Sequence, residues 1–192
     1  MLHVNENVKT KEIGINYKNT FPQVFKNKGF DIIISNPPYF ILKGTGNKKT
    51  SQRFYEHQKE TINEELNYFR QNKFYKKSIQ GMLNYYRLSI ECMMNISNKC
   101  ATLGIICPAT LFGDASASIL RGEILENNQV TFIEYFPERS KLFEQIAQAT
   151  LIFVLNKNKV TDQIELKNNA NGNTTHLDFK FISKIFPNLE IP

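Results

Sequence analysis

Residues 30–39 have the sequence Phe-Asp-Ile-Ile-Ile-Ser-Asn-Pro-Pro-Tyr, and this stretch decides the fold. The apolar run is typical of a strand that is covered on both faces, as in a parallel α/β sheet. We expect the strand to span residues 30–35. The tetrapeptide 36–39 then follows at the carboxyl end of the strand, which is where ligands bind in doubly wound sheets.

The rest of the chain alternates between predicted helices and strands. We predict helices at about 52–72, 82–98 and 114–126, with Asp114 as the N-cap of the last, and strands at about 101–107, 130–136 and 149–155. Weaker strand candidates lie near 163–167 and 177–182. This βα order, closing on an antiparallel pair, predicts an α/β fold with a helical insertion at about 41–81.

Composition excludes several classes of protein. A chain of 192 residues is long enough for one domain with a real core. No apolar run approaches twenty residues and the first residues do not resemble a signal peptide, so we expect a cytoplasmic protein without a membrane span. The three cysteines have neither disulfide nor zinc spacing, and the three histidines are scattered. We therefore expect reduced, largely buried thiols and no metal.

Positive charge is concentrated in the insertion. Residues 41–81 contain nine Lys and Arg residues and four Glu residues, and so carry five of the six net positive charges of the chain. Aromatic residues such as Tyr68, Phe69, Phe74 and Tyr75 are interleaved with them. This pattern is typical of a nucleic-acid surface, and it also fits an amphipathic helix with a solvated charged side.

The tetrapeptide 36–39 can hold an amino group. An exocyclic amine on an aromatic ring is a poor nucleophile because its lone pair is delocalised. The Asn36 side-chain oxygen and the Pro37 carbonyl can accept from its two N–H bonds and favour a more nucleophilic nitrogen. Pro37 and Pro38 restrict the backbone, so these acceptors are oriented before substrate arrives. Tyr39 offers a flat face on which a base can stack.

The same residues resemble motif IV of the amino-methyltransferases that use S-adenosylmethionine. From about residue 20 to 157 the chain resembles a gamma-type DNA adenine-N6 methyltransferase, in particular those of type IIG restriction–modification enzymes. Residues 84–88 occupy the place of motif V, residues 103–108 resemble motif VI, and residues 141–155 resemble motif VIII with the last strand.

The resemblance implies a site, a cofactor and a partner. It implies a partial Rossmann-like methyltransferase sheet made of the later strands, S-adenosylmethionine as methyl donor, and double-stranded DNA with a flipped adenine as substrate. It gives catalytic roles to Asn36, Pro37, Pro38 and Tyr39, stacking on the base to Tyr39 and Phe143, and a cofactor contact to Asn36. The basic residues that we expect to contact DNA are Lys48, Lys49, Arg53, Lys73, Lys76 and Lys77.

The main cofactor-binding motif of that family is absent from the chain. We find no Phe-x-Gly-x-Gly segment, and the pair Gly44 and Gly46 lies after the tetrapeptide and is too short to count. We therefore expect residues 1–157 to be the catalytic part of a methyltransferase domain. We expect residues 158–192 to be a linker or the start of a truncated recognition region. We therefore expect the chain to be a fragment or a split-gene piece, with a separate polypeptide that carries the cofactor-binding half.

Two other functions remain open on sequence. Protein glutamine N5 methyltransferases share Asn-Pro-Pro-Tyr because a glutamine amide poses the same chemical problem, although the long basic insertion favours DNA. The chain could also be an inactive remnant or a DNA-binding piece without turnover, as its missing cofactor motif allows.

Overall fold

The computed structural model describes residues 15–42, 52–140 and 148–191, with the side chains of residues 52–58 left out. The helices in these ranges are α1 (Tyr17–Thr20), α2 (Pro22–Lys26), α3 (Gln52–Gln71), α4 (Tyr85–Ile96), α5 (Thr110–Gly113), α6 (Ser118–Glu126) and α7 (Phe179–Ile185). Short 3-10 turns occupy Ala115–Ala117 and Glu138–Ser140. The strands are β1 (Phe30–Ser35), β2 (Ser97–Pro108), β3 (Asn128–Phe136), β4 (Thr150–Lys157), β5 (Gln163–Asn168) and β6 (Asn173–Asp178).

The six strands form one sheet in the order β1-β2-β4-β3-β5-β6. Strands β1 and β2 are parallel, whereas β4 runs antiparallel to both of its neighbours, β2 and β3. The chain therefore inserts β4 between two strands that precede it in the sequence. This arrangement confirms the predicted α/β fold and the predicted antiparallel pairing of 130–136 with 149–155.

The main core lies on one face of this sheet. Alternate residues of the central strands, such as Leu103, Ile105 and Phe153, are almost completely buried against α4 and α6. Ile90 of α4 and Ile124 of α6 belong to the same cluster, so both helices cover the same face. A second cluster lies between α3 and α4, where the predicted apolar side of the insertion helix packs.

The opposite face of the sheet is open at β1. Ile32 is 70% exposed and Ile34 is 86% exposed, although both belong to a strand that pairs in parallel with β2. Ile34 lies in register with Gly104 of β2, and a Cβ atom placed on Gly104 would lie 4.0 Å from the Ile34 side chain. Parallel strands are normally covered on both faces, so this apolar face lacks its usual partner within the described residues.

The boundaries of several elements differ from the sequence prediction. Helix α4 ends at Ile96 rather than near residue 98, because β2 already begins at Ser97. Asp114 does cap a helical segment, but its carboxylate accepts from the Ser116 amide at 2.7 Å and so caps the 3-10 turn that precedes α6. The last strand candidate, 177–182, is a strand only in its first two residues, because β6 ends at Asp178. The Asp178 side chain caps α7, which contains the remaining residues.

Residues 158–191, for which we expected a linker or the start of a recognition region, contribute strands β5 and β6 to the sheet. Strand β5 pairs in parallel with β3, and β6 pairs antiparallel with β5. The buried Arg121 guanidinium donates to the Asn188 carbonyl at 2.7 Å and thereby holds the last described residues against the core. The polar composition of this segment obscured its few buried apolar residues, Ile164, Ile182 and Leu189.

The cysteines are free, but the expectation that all are buried is wrong for one of them. Cys92 and Cys107 are fully buried, and burial raises the pKa of the Cys92 thiol to about 12. Cys100 is exposed, because it lies on the amino-terminal part of β2 outside the core. Within the described ranges, no helix is long and apolar enough to cross a membrane.

Two isoleucine substitutions test which face of the sheet is packed. We expect Ile105→Ala to lower the free energy of unfolding by about 2–5 kcal/mol, because it opens a cavity in the core. Ile34→Ala, its matched control on the neighbouring strand, should change it by less than about 0.5 kcal/mol because Ile34 is exposed. Urea denaturation measures both, and similar losses for the two variants would contradict the exposed face.

Candidate functional site

The tetrapeptide 36–39 leaves β1 at its carboxyl end, as predicted. Ser35 is still in register with Ile105 of β2, and irregular backbone begins at Asn36. The Asn36 side chain is exposed, whereas Pro37 is buried. The sheet therefore fixes the backbone on one side of Asn36 and leaves its amide oxygen accessible to a ligand.

The chain that follows the tetrapeptide is tied to the start of α4. The Tyr85 amide donates to the Phe40 carbonyl at 2.9 Å, and the Leu42 amide donates to the Leu83 carbonyl at 2.8 Å. An isolated bridge between Ile41 and Asn84 lies between these two hydrogen bonds. The tetrapeptide is thus held at both ends, which is what a preoriented pair of acceptors requires.

The Tyr39 side chain is partly enclosed by the core, so its ring is less accessible than an exposed ring on which a base could stack. Its ring is half-buried and packs against the main core, and its enclosed hydroxyl has no hydrogen-bond partner among the described residues. Burial, with a smaller contribution from Cys107, raises the pKa of the phenol above its ordinary value. Tyr39 therefore remains neutral, and its orientation is set by the core.

The end of β2 forms the neighbouring wall of the site. The Ala109 amide donates to the Ala149 carbonyl at 3.0 Å, which connects this end of β2 to the start of β4. The hydroxyl groups of Thr110 and Tyr86 lie 3.2 Å apart. A polar contact between α4 and the end of β2 therefore lies beside the main core.

A cleft of about 330 Å³ opens beside the tetrapeptide. It is lined by Pro38, Phe40, Phe69, Tyr75, Tyr85, Leu88 and Ser89. These residues come from the tetrapeptide loop, the insertion and α4, so the predicted basic and aromatic segment does border the predicted site. The lining is aromatic and aliphatic, with hydroxyl groups and no charged side chain.

The predicted DNA-contacting residues differ in exposure and in whether an acidic partner neutralises them. Lys73 and Lys76 are exposed on the loop that follows α3. The Lys77 ammonium lies 2.7 Å from a carboxylate oxygen of Glu123 on α6, so it already has an acidic partner. Lys48, Lys49 and Phe143 lie outside the described residues, as does the side chain of Arg53.

Sequence reasoning did not identify two buried charged residues of α4. Arg87 is 1% exposed and its guanidinium donates to the carbonyls of Met82 and Ser116, which joins the loop before α4 to the loop before α6. Glu91 is 3% exposed. The sequence signal that could have identified them is the presence of two charged residues in a helix whose other residues are mostly apolar. Such charges are buried with the helix and therefore require partners.

Among the described residues, the lining of the cleft beside Pro38 does not fit S-adenosylmethionine. The carboxyl ends of β1 and β2 offer the Asn36 amide, the Pro37 carbonyl and the Thr110 hydroxyl, and the last of these already contacts Tyr86. The cleft beside Pro38 has no charged group for the ammonium or carboxylate of the cofactor. Nor do the described ranges contain three or more His, Cys, Asp or Glu residues grouped as metal ligands.

Comparison with solved structures relates the fold to restriction–modification enzymes. The chain is similar to a nuclease-deletion mutant of the type ISP enzyme LlaGI in complex with a DNA substrate mimic, with 16% identity and a TM-score of 0.51 over 85% of this chain and 18% of that one. It is similar to the M protein of the type I enzyme EcoKI, with 12% identity and a TM-score of 0.48 over 74% and 26%. It is also similar to the type IIG endonuclease BpuSI, with 18% identity and a TM-score of 0.46 over 72% and 15%.

The chain therefore spans about a quarter or less of each of these three proteins. No curated protein sequence matches it. The sequence profile described as Eco57I restriction-modification methylase matches residues 2–143, which is well over half of the chain. On that match, the chain belongs to the Eco57I restriction-modification methylase family.

Proposed function

We propose that this chain supplies the amine-binding part of a site that transfers a methyl group from S-adenosylmethionine to N6 of adenine in double-stranded DNA, within a restriction–modification system. The observation that carries this proposal is the position of Asn36 and Pro37 at the carboxyl end of β1, in a chain of the Eco57I methylase family. The LlaGI structure contains a DNA substrate mimic, which supports DNA as the substrate class.

The proposed role of Asn36 and Pro37 is to make the target nitrogen nucleophilic. Asn36 Oδ1 and the Pro37 carbonyl accept from the two N–H bonds of the adenine amine, so its lone pair is withdrawn less into the ring. The Tyr85–Phe40 and Leu42–Leu83 hydrogen bonds hold the loop in place before substrate binds. The acceptors then require no reorganisation during the reaction.

The adenine must leave the duplex to reach Asn36. Flipping a base costs a few kcal/mol, which stacking on an aromatic ring partly offsets. We propose Tyr39 for this contact, since the core fixes its ring and burial keeps it neutral. Stacking by Phe143 stays a prediction from the resemblance. Exposed Lys73 and Lys76 would contact DNA phosphates beside the cleft.

Binding of the methyl donor requires a second polypeptide segment. The cofactor supplies an electrophilic methyl group, and among the described residues the cleft beside Pro38 has no charged side chain to hold it. The exposed apolar face with Ile32 and Ile34 belongs to the strand that leads into Asn36. We propose that the cofactor-binding half covers this face and pairs with the edge of β1 that has no neighbouring strand within the described residues, so that the cofactor and Asn36 meet.

Replacement of Asn36 tests the amine site. In the chain mixed with the polypeptide encoded immediately upstream, we expect Asn36→Ala to lower methyl transfer to DNA at least about 100-fold, as loss of a preorganised polar group does in other sites. Asn19→Ala is the matched control, because Asn19 is exposed on α1, near the opposite end of β1. Transfer of tritiated methyl groups measures both, and full activity of Asn36→Ala would contradict the proposed role.

Calorimetry tests the requirement for a second segment. Titration of S-adenosylmethionine into the chain alone should give no saturable heat, and addition of the upstream polypeptide should give binding near micromolar, or about −8 kcal/mol. Ile34→Glu should prevent this gain because it places a charge on the face to be covered. Val160→Glu, at a site 72% exposed in the β4–β5 connection, should not. Micromolar binding by the chain alone would contradict the proposal.

A further inference from the structure

The loop between α3 and α4, residues 72–84, carries Lys73, Lys76 and Lys77 and is called the basic loop below. Glu91 of α4 is a buried carboxylate that accepts hydrogen bonds from this loop. Its oxygens accept from the amide of Lys76 at 2.8 Å and from that of Lys77 at 3.0 and 3.1 Å. They also accept from the Ser78 amide at 2.9 Å and from the Ser78 hydroxyl at 2.5 Å. Three successive amides thus converge on one carboxylate.

This arrangement has a large energetic consequence for the loop. A buried carboxylate is costly unless hydrogen bonds satisfy it, and hydrogen bonds to a charged acceptor are stronger than those between neutral groups. Loss of the loop conformation would leave Glu91 buried and unsatisfied. The loop backbone from residue 76 to 78 is therefore fixed by a residue of α4 that is 13 to 15 positions later in the chain.

Two further contacts extend the fixed region towards α3. The Asn95 side chain donates to the Phe74 carbonyl at 2.8 Å. Tyr75 is 2% exposed, and its ring centroid lies 5.0 Å from that of Phe69. Buried Tyr75 and Ser78 therefore alternate with exposed Lys73 and Lys76, so the two lysines are presented on the outer side of an anchored loop.

The anchored loop borders the candidate site. Tyr75 lines the cleft beside Pro38, and so do Leu88 and Ser89, which lie less than one helical turn before Glu91 on α4. The Lys77 side chain is paired with Glu123, which leaves Lys73 and Lys76 as the exposed cations of this loop in the described residues.

We propose that Glu91 is a positioning residue for DNA binding, which holds Lys73 and Lys76 in a phosphate-binding arrangement before DNA arrives. The inference rests on the proposed function, because it assumes DNA as the ligand of this surface. A loop that is already ordered loses little conformational entropy on binding, so its phosphate contacts contribute more to affinity.

The direction in which Glu91→Gln changes DNA affinity distinguishes a positioning role of Glu91 from simple charge repulsion. Removal of a negative charge near DNA should by itself strengthen binding. We instead expect Glu91→Gln to weaken binding of the full chain to a fluorescent DNA duplex about fivefold. The slope of log affinity against log salt should become less negative by about one to two, as loss of one or two phosphate contacts causes. Glu65→Gln is the matched control, because Glu65 accepts from the Tyr85 hydroxyl at 2.6 Å and the described residues show no hydrogen bond from the basic loop to it.

A double-mutant cycle separates positioning from loss of fold. In a Lys73→Ala/Lys76→Ala background, Glu91→Gln should change DNA affinity less than twofold, because the groups that it positions are gone. The same fivefold loss in both backgrounds would overturn the inference. If Glu91→Gln does not unfold cooperatively on heating, Ser78→Ala, which removes only the hydroxyl donor, replaces it in the same cycle with the same expected non-additivity.

Different results would contradict the proposed DNA substrate and the proposed role of Glu91. Absence of DNA binding by the unmodified chain would overturn both the DNA substrate and the role of Glu91. DNA binding that weakens in Lys73→Ala/Lys76→Ala, together with unchanged or tighter binding by Glu91→Gln, would overturn the role of Glu91 alone.

Discussion

The parallel pairing of β1 with β2 is the constraint on which the rest of the structure depends. It continues to Ser35 and Ile105, so the backbone becomes free for ligand contacts only at Asn36. The hydrogen bond from the Tyr85 amide to the Phe40 carbonyl then returns the chain to α4. Because α4 is packed on the core face, the amine-binding loop, the cleft and the basic loop are all positioned by one helix and one strand.

The exposed apolar face of β1 connects the fold to the proposed chemistry. A parallel strand with Ile34 86% exposed is unusual, since such strands are normally covered on both faces. The same strand leads to Asn36, and within the described residues the cleft beside Pro38 has no charged side chain that would hold a methyl donor. We therefore propose that a single additional segment both covers this face of β1 and completes the site at Asn36.

The sequence predicted what depends on local pattern and missed what depends on distant partners. The apolar run at 30–35 and the helical periodicity of the insertion correctly predicted β1 and α3. The partners of Glu91 and Lys77 could not be predicted, because they are set by how separate elements pack against each other. Strand β5 was only a weak candidate, since Ile164 is its one fully buried residue.

The most direct test of the central claim is the chemical identity of the methylated product. The chain and the upstream polypeptide would be incubated with duplex DNA and isotopically labelled S-adenosylmethionine, and the digested DNA and the protein fraction would be analysed by mass spectrometry. Our account predicts the label in N6-methyladenine, and its loss with Asn36→Ala. Label in cytosine, in a protein glutamine, or in no product would contradict it.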